Sequence, residues 1–182
     1  MHVVWFKRDL RIEDHEPLIE AIQRANGQAI CCLYVYEPSL LESPEWDQSH
    51  SQFIDECLTE LAGAIHQRGG QLSLRHGDVC TALADLHREH SISALFSHEE
   101  SGNALTYQRD IAVGAWCSQH NIPWHEFQQT GVIRRLRDRD GWSKRWNMTM
   151  KRPPLPAPAA IKTHVVAATL QNFYIKSCVI YL

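Results

Sequence analysis

Short apolar runs and amphipathic stretches alternate along the first 127 residues of the chain. Each apolar run has the length of a strand buried in a sheet. The longer stretches repeat their apolar residues at helical spacing, as a helix with one buried face does. Residues 29–36, which are nearly all apolar, are the clearest strand. The predicted strands are 2–6, 29–36, 71–75, 92–97 and 123–127, and the predicted helices are 16–24, 49–67, 79–89 and 106–120.

This regular order of strand and helix is typical of βαβ units, which build a parallel sheet covered by helices. We therefore predict an α/β fold, a Rossmann-like, doubly wound sheet of five parallel strands with helices on both faces. In such sheets ligands bind beyond the carboxyl ends of the strands, where the strand order reverses. The residues that follow each strand are consequently the first candidates for a binding site.

Charged and titratable residues follow most of the predicted strands. The first strand runs into Lys7-Arg8-Asp9-Leu10-Arg11, the second ends at Glu37, and the fourth is followed by His98-Glu99-Glu100. The arginines could bind a phosphate or carboxylate of a ligand, or one of them could pair with Asp9. The two glutamates could bind the ring N–H groups of a planar heterocycle, balance Arg8 and Arg11, or favour the start of the next helix. The residues alone leave these alternatives open.

The pattern changes after residue 127, where a basic segment and then a proline-rich segment follow. Eight of the 18 lysines and arginines lie between Arg134 and Arg152, together with Trp142 and Trp146. Interleaved arginine and tryptophan suit nucleic acid, but two tryptophans four residues apart share one helical face, so we favour packing. The predicted divisions are an α/β domain (1–130), a basic, tryptophan-containing segment packing on it (131–152), and a proline-rich linker with an apolar tail (153–182).

Composition and absent motifs narrow the class of protein. The formal net charge of −3 does not favour nucleic acid as a partner of the whole chain. The six cysteines have neither zinc-site nor disulfide-framework spacing. We recognise no secretory signal and no membrane span, and therefore expect a cytoplasmic protein.

The motifs of several common enzyme classes are missing as well. The chain has no glycine-rich phosphate loop and no nucleophile elbow, which argues against ordinary dinucleotide enzymes, P-loop NTPases and α/β-hydrolases. His87 and His90 could form half of a metal site, but with no third ligand nearby we interpret them as a solvated helix end. We predict no metal.

The opening residues nevertheless form a specific pattern. Trp5 and Phe6 end the first strand, Arg-Asp-Leu-Arg follows at residues 8–11, and Asp14 and Leu18 lead into the first helix. The stretches LYVYEP (33–38), GGQLSLRHGD (69–78) and TYQRD (106–110) follow in order. Together these residues resemble the N-terminal domain of the DNA photolyase/cryptochrome family, and the resemblance covers about residues 1 to 152.

The resemblance implies a function that involves light. In this family the α/β domain can hold an antenna chromophore, such as FMN, a deazaflavin or a reduced folate. A larger helical domain binds FAD and performs light-driven repair of pyrimidine dimers in DNA. We expect the chain to stop before that domain, so we assign no catalytic residue, leave enzymatic activity open, and expect DNA binding only through the missing domain. The expected chromophore-binding residues are Arg8, Asp9, Leu10, Arg11, Glu37, Glu99 and Glu100.

One departure from the family pattern bears on the chromophore. Folate-binding members carry an Asn-Glu pair where this chain has Leu105 and Thr106, which argues against a folate bound in that way.

Two other functions remain as alternatives. One is a stand-alone, Rossmann-like nucleotide-binding module. The other is an interaction fragment that pairs with a separate helical domain, as the Trp142/Trp146 face and the apolar tail would suit.

Overall fold

A computed structural model describes residues 1–132, 134 and 138–164, and it contains the predicted five-stranded parallel sheet. The strand order is β3-β2-β1-β4-β5, with helices on both faces, so the predicted doubly wound α/β fold is confirmed. The strands are β1 His2–Phe6, β2 Cys31–Tyr36, β3 Leu72–His76, β4 Ala94–His98 and β5 Trp124–Phe127. The helices are α1 Glu16–Ala25, α2 Pro38–Leu41, α3 Gln48–His66, α4 Val79–His90, α5 Ala104–Gln119 and α6 Trp142–Met150.

The alternation of side chains along β1 separates two apolar cores. Val4 and Phe6 face the core that α1 and α3 cover, whereas Val3 and Trp5 face the core beneath α4 and α5. All four side chains are almost completely buried. Because both faces of the central strands are covered, these strands are apolar throughout, which is why they are visible as unbroken hydrophobic runs in the sequence.

Capping residues explain where the helices begin. The side chain of Asp78 accepts a hydrogen bond from the backbone N–H of Thr81 at the start of α4. Asn103 caps α5 in the same way, so this helix begins at Ala104, two residues before the predicted start. The short helix α2 was not predicted, because four residues are too few to display a helical repeat.

The proline-rich segment is extended, and residues 155–164 lie against the α/β domain. Asp14 and Leu155 exchange hydrogen bonds near the carboxyl end of the sheet. At the opposite end, Ile161 is buried in the first core, and Thr163 pairs in parallel with Ile30. The apolar tail from residue 165 onward lies outside the described residues.

Helix α6 in the basic segment presents both predicted tryptophans. Trp142 and Trp146 are 39% and 40% exposed, and no residue of α6 is buried. The indole of Trp146 lies so close to Gly131 that a Cβ atom there would be 2.0 Å from it. Among the described residues, no helix combines the length and the apolar character needed to cross a membrane.

Candidate binding site at the carboxyl end of the sheet

A polar cleft of about 180 Å³ opens between the ends of β1 and β4. These two strands are adjacent in the sheet, yet the chain reaches β4 only after building β2 and β3 on the other side of β1. The cleft therefore lies where the strand order reverses, which is the usual ligand position in such folds. The residues that line it are Lys7, Arg8, Asp9, His98, Glu99, Glu100, Ser101, Gln129 and Thr130.

Asp9 forms a buried cluster with two histidines at the floor of this region. One carboxylate oxygen of Asp9 accepts the backbone N–H of Lys7, and the other lies 2.8 Å from His15 Nε2 and in contact with His98 Nδ1. His15 is fully buried, and its Nδ1 accepts the backbone N–H of Leu18, which caps α1. The cluster therefore fastens the loop after β1 to both α1 and β4.

The surroundings of this cluster lower the pKa values of both its carboxylate, Asp9, and the imidazole of His15. Burial alone would raise the pKa of Asp9, but the hydrogen bonds from His15 and His98 outweigh it and hold that pKa well below its ordinary range. Burial lowers the pKa of His15, and the attraction of Asp9 offsets this only in part. Neutral His15 beside ionised Asp9 is the form that the fold favours.

Histidine and carboxylate side chains are common metal ligands. The three side chains of this cluster are buried, with their ligand atoms within 4.8 Å of one another. The hydrogen bonds argue against a metal at this place. Because Nδ1 of His15 accepts a backbone N–H, the neutral ring must carry its proton on Nε2. A metal ligand needs that nitrogen unprotonated and usually donates from the other one. The cluster fits a hydrogen-bonded network better than a metal site.

Arg109 of α5 organises a second, neighbouring network. Its guanidinium bonds Glu37 Oε1 at 2.8 Å, Glu100 Oε2 at 3.0 Å and Asp110 Oδ1 at 3.0 Å. Burial lowers the pKa of Arg109, but Glu37 and Asp110 outweigh it and raise that pKa. Burial in turn raises the pKa of Glu37 against the pull of Arg109. Asp110 also bonds Lys7, whose pKa is lowered by burial. The buried acids near the cleft are thus largely neutralised within the protein.

The structure brings together four of the seven predicted binding residues around the cleft. Arg8, Asp9, Glu99 and Glu100 line it, and Gly102 leaves room for the Arg8 guanidinium to lie 3.9 Å from Glu100.

The other three predicted residues are occupied elsewhere. Leu10 packs against the first core, Arg11 bonds the backbone oxygens of Glu13 and Asp14, and Glu37 is held by Arg109. The suggestion that Asp9 pairs with a neighbouring arginine is wrong, because two histidines occupy its carboxylate.

Several residues of the site were not among the predicted binding residues. His98 and Lys7 do lie in the strand-end stretches that the sequence highlights, so position alone could have added them. Arg109 lies within TYQRD, but nothing in its local sequence reveals that it reaches Glu37 across 72 positions of the chain. Thr130 and Gln129 follow an edge strand and have no chemical signal of their own.

The strand order defines a Rossmann-like α/β domain, with a cleft at the point where such folds usually bind ligands. A family model described as DNA photolyase matches residues 2–138, and the chain belongs to that family. Among curated relatives, cryptochrome DASH from Solanum lycopersicum is 32% identical over 108 residues. Cryptochrome DASH from Gloeobacter violaceus is 26% identical over 137 residues, and deoxyribodipyrimidine photo-lyase from Alkalihalophilus pseudofirmus is 25% identical over 206 aligned positions.

Solved structures agree with this assignment at the level of the fold. A class III photolyase from Agrobacterium tumefaciens superposes with a TM-score of 0.74 at 19% identity and covers 93% of this chain. A photolyase from Sulfolobus tokodaii, solved with two FAD molecules and described as implying a novel light-harvesting cofactor, gives a TM-score of 0.71 at 17% identity and covers 90%.

The chain matches only part of the length of these proteins. The three relatives are covered over 18%, 27% and 41% of their length, and the two structures over 36% and 39%. The part that is matched is the N-terminal α/β region of a photolyase or cryptochrome.

Proposed function

We propose that this domain binds a planar light-harvesting chromophore in the cleft between β1 and β4. The observation that carries the proposal is the position of the cleft, which lies at the carboxyl edge where the strand order reverses and is lined by residues of both signs of charge. Energy transfer requires a fixed ring orientation and no nucleophile, and a few placed polar groups on a rigid sheet supply that.

The residues present fit one edge of such a molecule. A cleft of about 180 Å³ is smaller than the roughly 300–1,000 Å³ of typical ligand pockets, so it accommodates part of a ring system while the rest stays outside. Arg8 and Glu99 are the charged groups with most freedom to reach a ligand, since Arg8 is largely exposed and Glu99 is half-buried. Glu37 and Glu100 act as supports for Arg109.

A flavin or deazaflavin suits this chain better than a folate. At the position of the family's Asn-Glu pair, Leu105 offers no polar group. Thr106 is buried, and its hydroxyl donates to the backbone oxygen of Asn103 at the start of α5. Neither residue presents a carboxylate or an amide to a pterin.

Light-driven repair and DNA binding are proposals for the whole protein and not for this domain. They would require the FAD-binding helical region that the family carries beyond the part matched here. The free thiols of Cys31, Cys32, Cys57, Cys80 and Cys117 favour a reducing, cytoplasmic location.

The test is an absorption spectrum of the purified chain, recorded after incubation with FMN, a 5-deazaflavin or a reduced folate and removal of free ligand. We expect a retained flavin or deazaflavin band. Arg8→Ala should weaken binding at least about tenfold, because it removes a charged donor from the cleft. Arg11→Ala is the matched control, since Arg11 lies outside the cleft. A protein spectrum without a ligand band for every chromophore would refute the proposal.

A second candidate function rests on α6. Its exposed indoles and the exposed Met150 share one face of the helix, next to lysine and arginine side chains. We propose that this face docks on a helical FAD-binding domain. Co-expression with the C-terminal part of the Gloeobacter violaceus protein should yield a complex that Trp142→Ser with Trp146→Ser abolishes. A complex that tolerates both changes would exclude α6 from the interface.

A further inference from the structure

Among the described residues that line the cleft, His98 has a buried ring in which only one of the two nitrogens has a bonding partner. Its side chain is 5% exposed, and its Nδ1 contacts Asp9 Oδ2. Within the described part of the chain no group bonds the other ring nitrogen, Nε2. Because His98 lines the cleft and Asp9 occupies its Nδ1, Nε2 is the ring nitrogen left for an incoming ligand.

The hydrogen bonds of Asp9 determine the tautomer of this ring. The carboxylate is ionised and can only accept, and its other oxygen already accepts the backbone N–H of Lys7. His98 must therefore donate through a protonated Nδ1. In the neutral ring that leaves a lone pair on Nε2, as in other histidines whose orientation a carboxylate fixes.

We propose that His98 Nε2 accepts a hydrogen bond from the imide N–H of the heterocycle bound in the cleft, and that Asp9 is the positioning residue that holds His98 in this tautomer. This inference deepens the proposed chromophore site and rests on it. It identifies the recognised chemistry as a cyclic imide, an N–H flanked by two carbonyl groups, which flavins and deazaflavins share.

The neighbours of His98 include donors for the carbonyl groups that flank the imide N–H. Arg8 and Lys7 line the same cleft and offer donors to the flanking carbonyl oxygens, although Lys7 is also bonded to Asp110. The imidazole of His15 packs edge-on with the His98 ring, with 4.7 Å between the ring centroids. The charged and titratable groups around His98 are Lys7, Arg8 and Asp9 after β1, His15 before α1, and Glu99 and Glu100 after β4.

The geometry can be tested without a ligand. Nitrogen-15 NMR of histidine-labelled protein at neutral pH should show His98 with a protonated Nδ1 and an unprotonated Nε2. In Asp9→Asn the asparagine can offer an N–H to His98, so the populations of the two tautomers should shift. A neutral His98 protonated on Nε2 in the unaltered protein would overturn the proposal.

Recognition of the imide is tested with lumiflavin and N3-methyllumiflavin, which differ only in the hydrogen-bond donor. Lumiflavin should bind about tenfold more tightly, the contribution of one well-formed hydrogen bond in a partly buried site. The preference should vanish in His98→Phe and persist in His98→Gln, whose side-chain oxygen also accepts.

The outcomes separate this inference from the proposed site. Equal affinity for the two flavins, lost together in Arg8→Ala, would overturn the role of His98 and leave the chromophore site standing. Failure of both flavins to bind would overturn the site and the inference with it. A preference for lumiflavin that persists in His98→Phe would assign the imide contact to another residue.

Discussion

Asp9 illustrates how much of the fold can depend on a single buried carboxylate. Its carboxylate bonds its own loop and the last residue of β4, and it lies 2.8 Å from Nε2 of His15, the residue that caps α1. A buried anion is tolerable only when such donors replace its hydration. The same bonds that stabilise the ionised form also fix the relative positions of two strand ends and a helix start.

Removal of that charge should be costly. In Asp9→Asn both histidines lose an ionic partner in a buried environment, and we expect the free energy of unfolding to fall by about 3 kcal/mol. Urea denaturation with an unchanged slope would measure the loss. Asp85→Asn is a matched control, because Asp85 pairs with the exposed Arg88 within one helix and should change stability by less than about 0.5 kcal/mol. Equal effects would mean that the buried cluster contributes little.

His15 should make stability depend on pH. Its pKa is lower in the folded protein than the ordinary 6.5, so the unfolded chain binds a proton first as the pH falls. Stability should therefore decrease on acidification below about pH 6.5, with a slope of up to about 1.4 kcal/mol per pH unit for one proton.

In His15→Asn the contribution of this residue should disappear, since asparagine can cap α1 without titrating, whereas that of His125, whose pKa burial also lowers, should persist. Asp9 contributes separately, because its lowered pKa means that its stabilisation is lost only at much lower pH, below its ordinary 3.8. Denaturation curves recorded at several pH values distinguish the contribution of His15 from that of Asp9, with His120→Asn as an exposed control. An unchanged slope in His15→Asn would assign the pH dependence to other groups.

At the scale of elements, two glycines in and just after α3 differ in the space that they leave for a side chain. Gly63 lies within α3 with open space around it, whereas a Cβ at Gly70 would lie 2.8 Å from the backbone oxygen of Ile161 and 2.9 Å from Ile65. Gly70 thus permits the close approach of residues 155–164 to the end of α3. Gly70, four residues after the end of α3, thus creates the docking place of a segment about 90 residues later in the chain.

The two alanine variants should therefore change stability in opposite directions. Gly63→Ala should raise the free energy of unfolding by about 0.5–1 kcal/mol, because alanine restricts the unfolded chain and favours the helix. Gly70→Ala should lower it by about 1–3 kcal/mol through overpacking and accelerate proteolysis within residues 153–160. Thermal denaturation and limited proteinase K digestion measure both effects. A neutral Gly70→Ala would show that the segment is not held there.

On the scale of the whole molecule, the proline-rich segment is part of the domain. It runs from Asp14 at the carboxyl end of the sheet to Ile30 at the amino end, and Arg68 holds it on the way through the backbone oxygen of Pro158. Proline keeps such a chain extended in the unfolded state too, which reduces the entropy lost when it docks. The segment thereby closes the first core over Ile161.

Ile161 should consequently behave as a core residue of the α/β domain. Ile161→Ala leaves a cavity between α3 and the sheet, and we expect a loss of about 2–4 kcal/mol in the free energy of unfolding. Leu155→Ala is the control, because Leu155 is 36% exposed and should cost much less. A single cooperative transition in both variants would confirm that segment and domain unfold together. Separate transitions would show that the segment docks independently.

The sequence by itself determined the class of fold and the edge of the sheet that holds the site. Strand-length apolar runs such as 29–36, separated by amphipathic helices, are periodic signals that depend on neighbours along the chain, and parallel pairing follows from their alternation. The charged run after β1 and the glutamates after β4 are adjacent to those signals, so Arg8, Asp9, Glu99 and Glu100 could be predicted at the cleft.

Only the tertiary structure decided which partner each charge has. Asp9 has two arginines as near neighbours in the sequence, yet it bonds His15 and His98, because folding buries the carboxylate beside these rings while Arg11 turns to its own loop. Arg109 reaches Glu37 in the same long-range way. Such pairings form only when strands and helices that are distant in the sequence come together in the fold. The local sequence therefore does not indicate them.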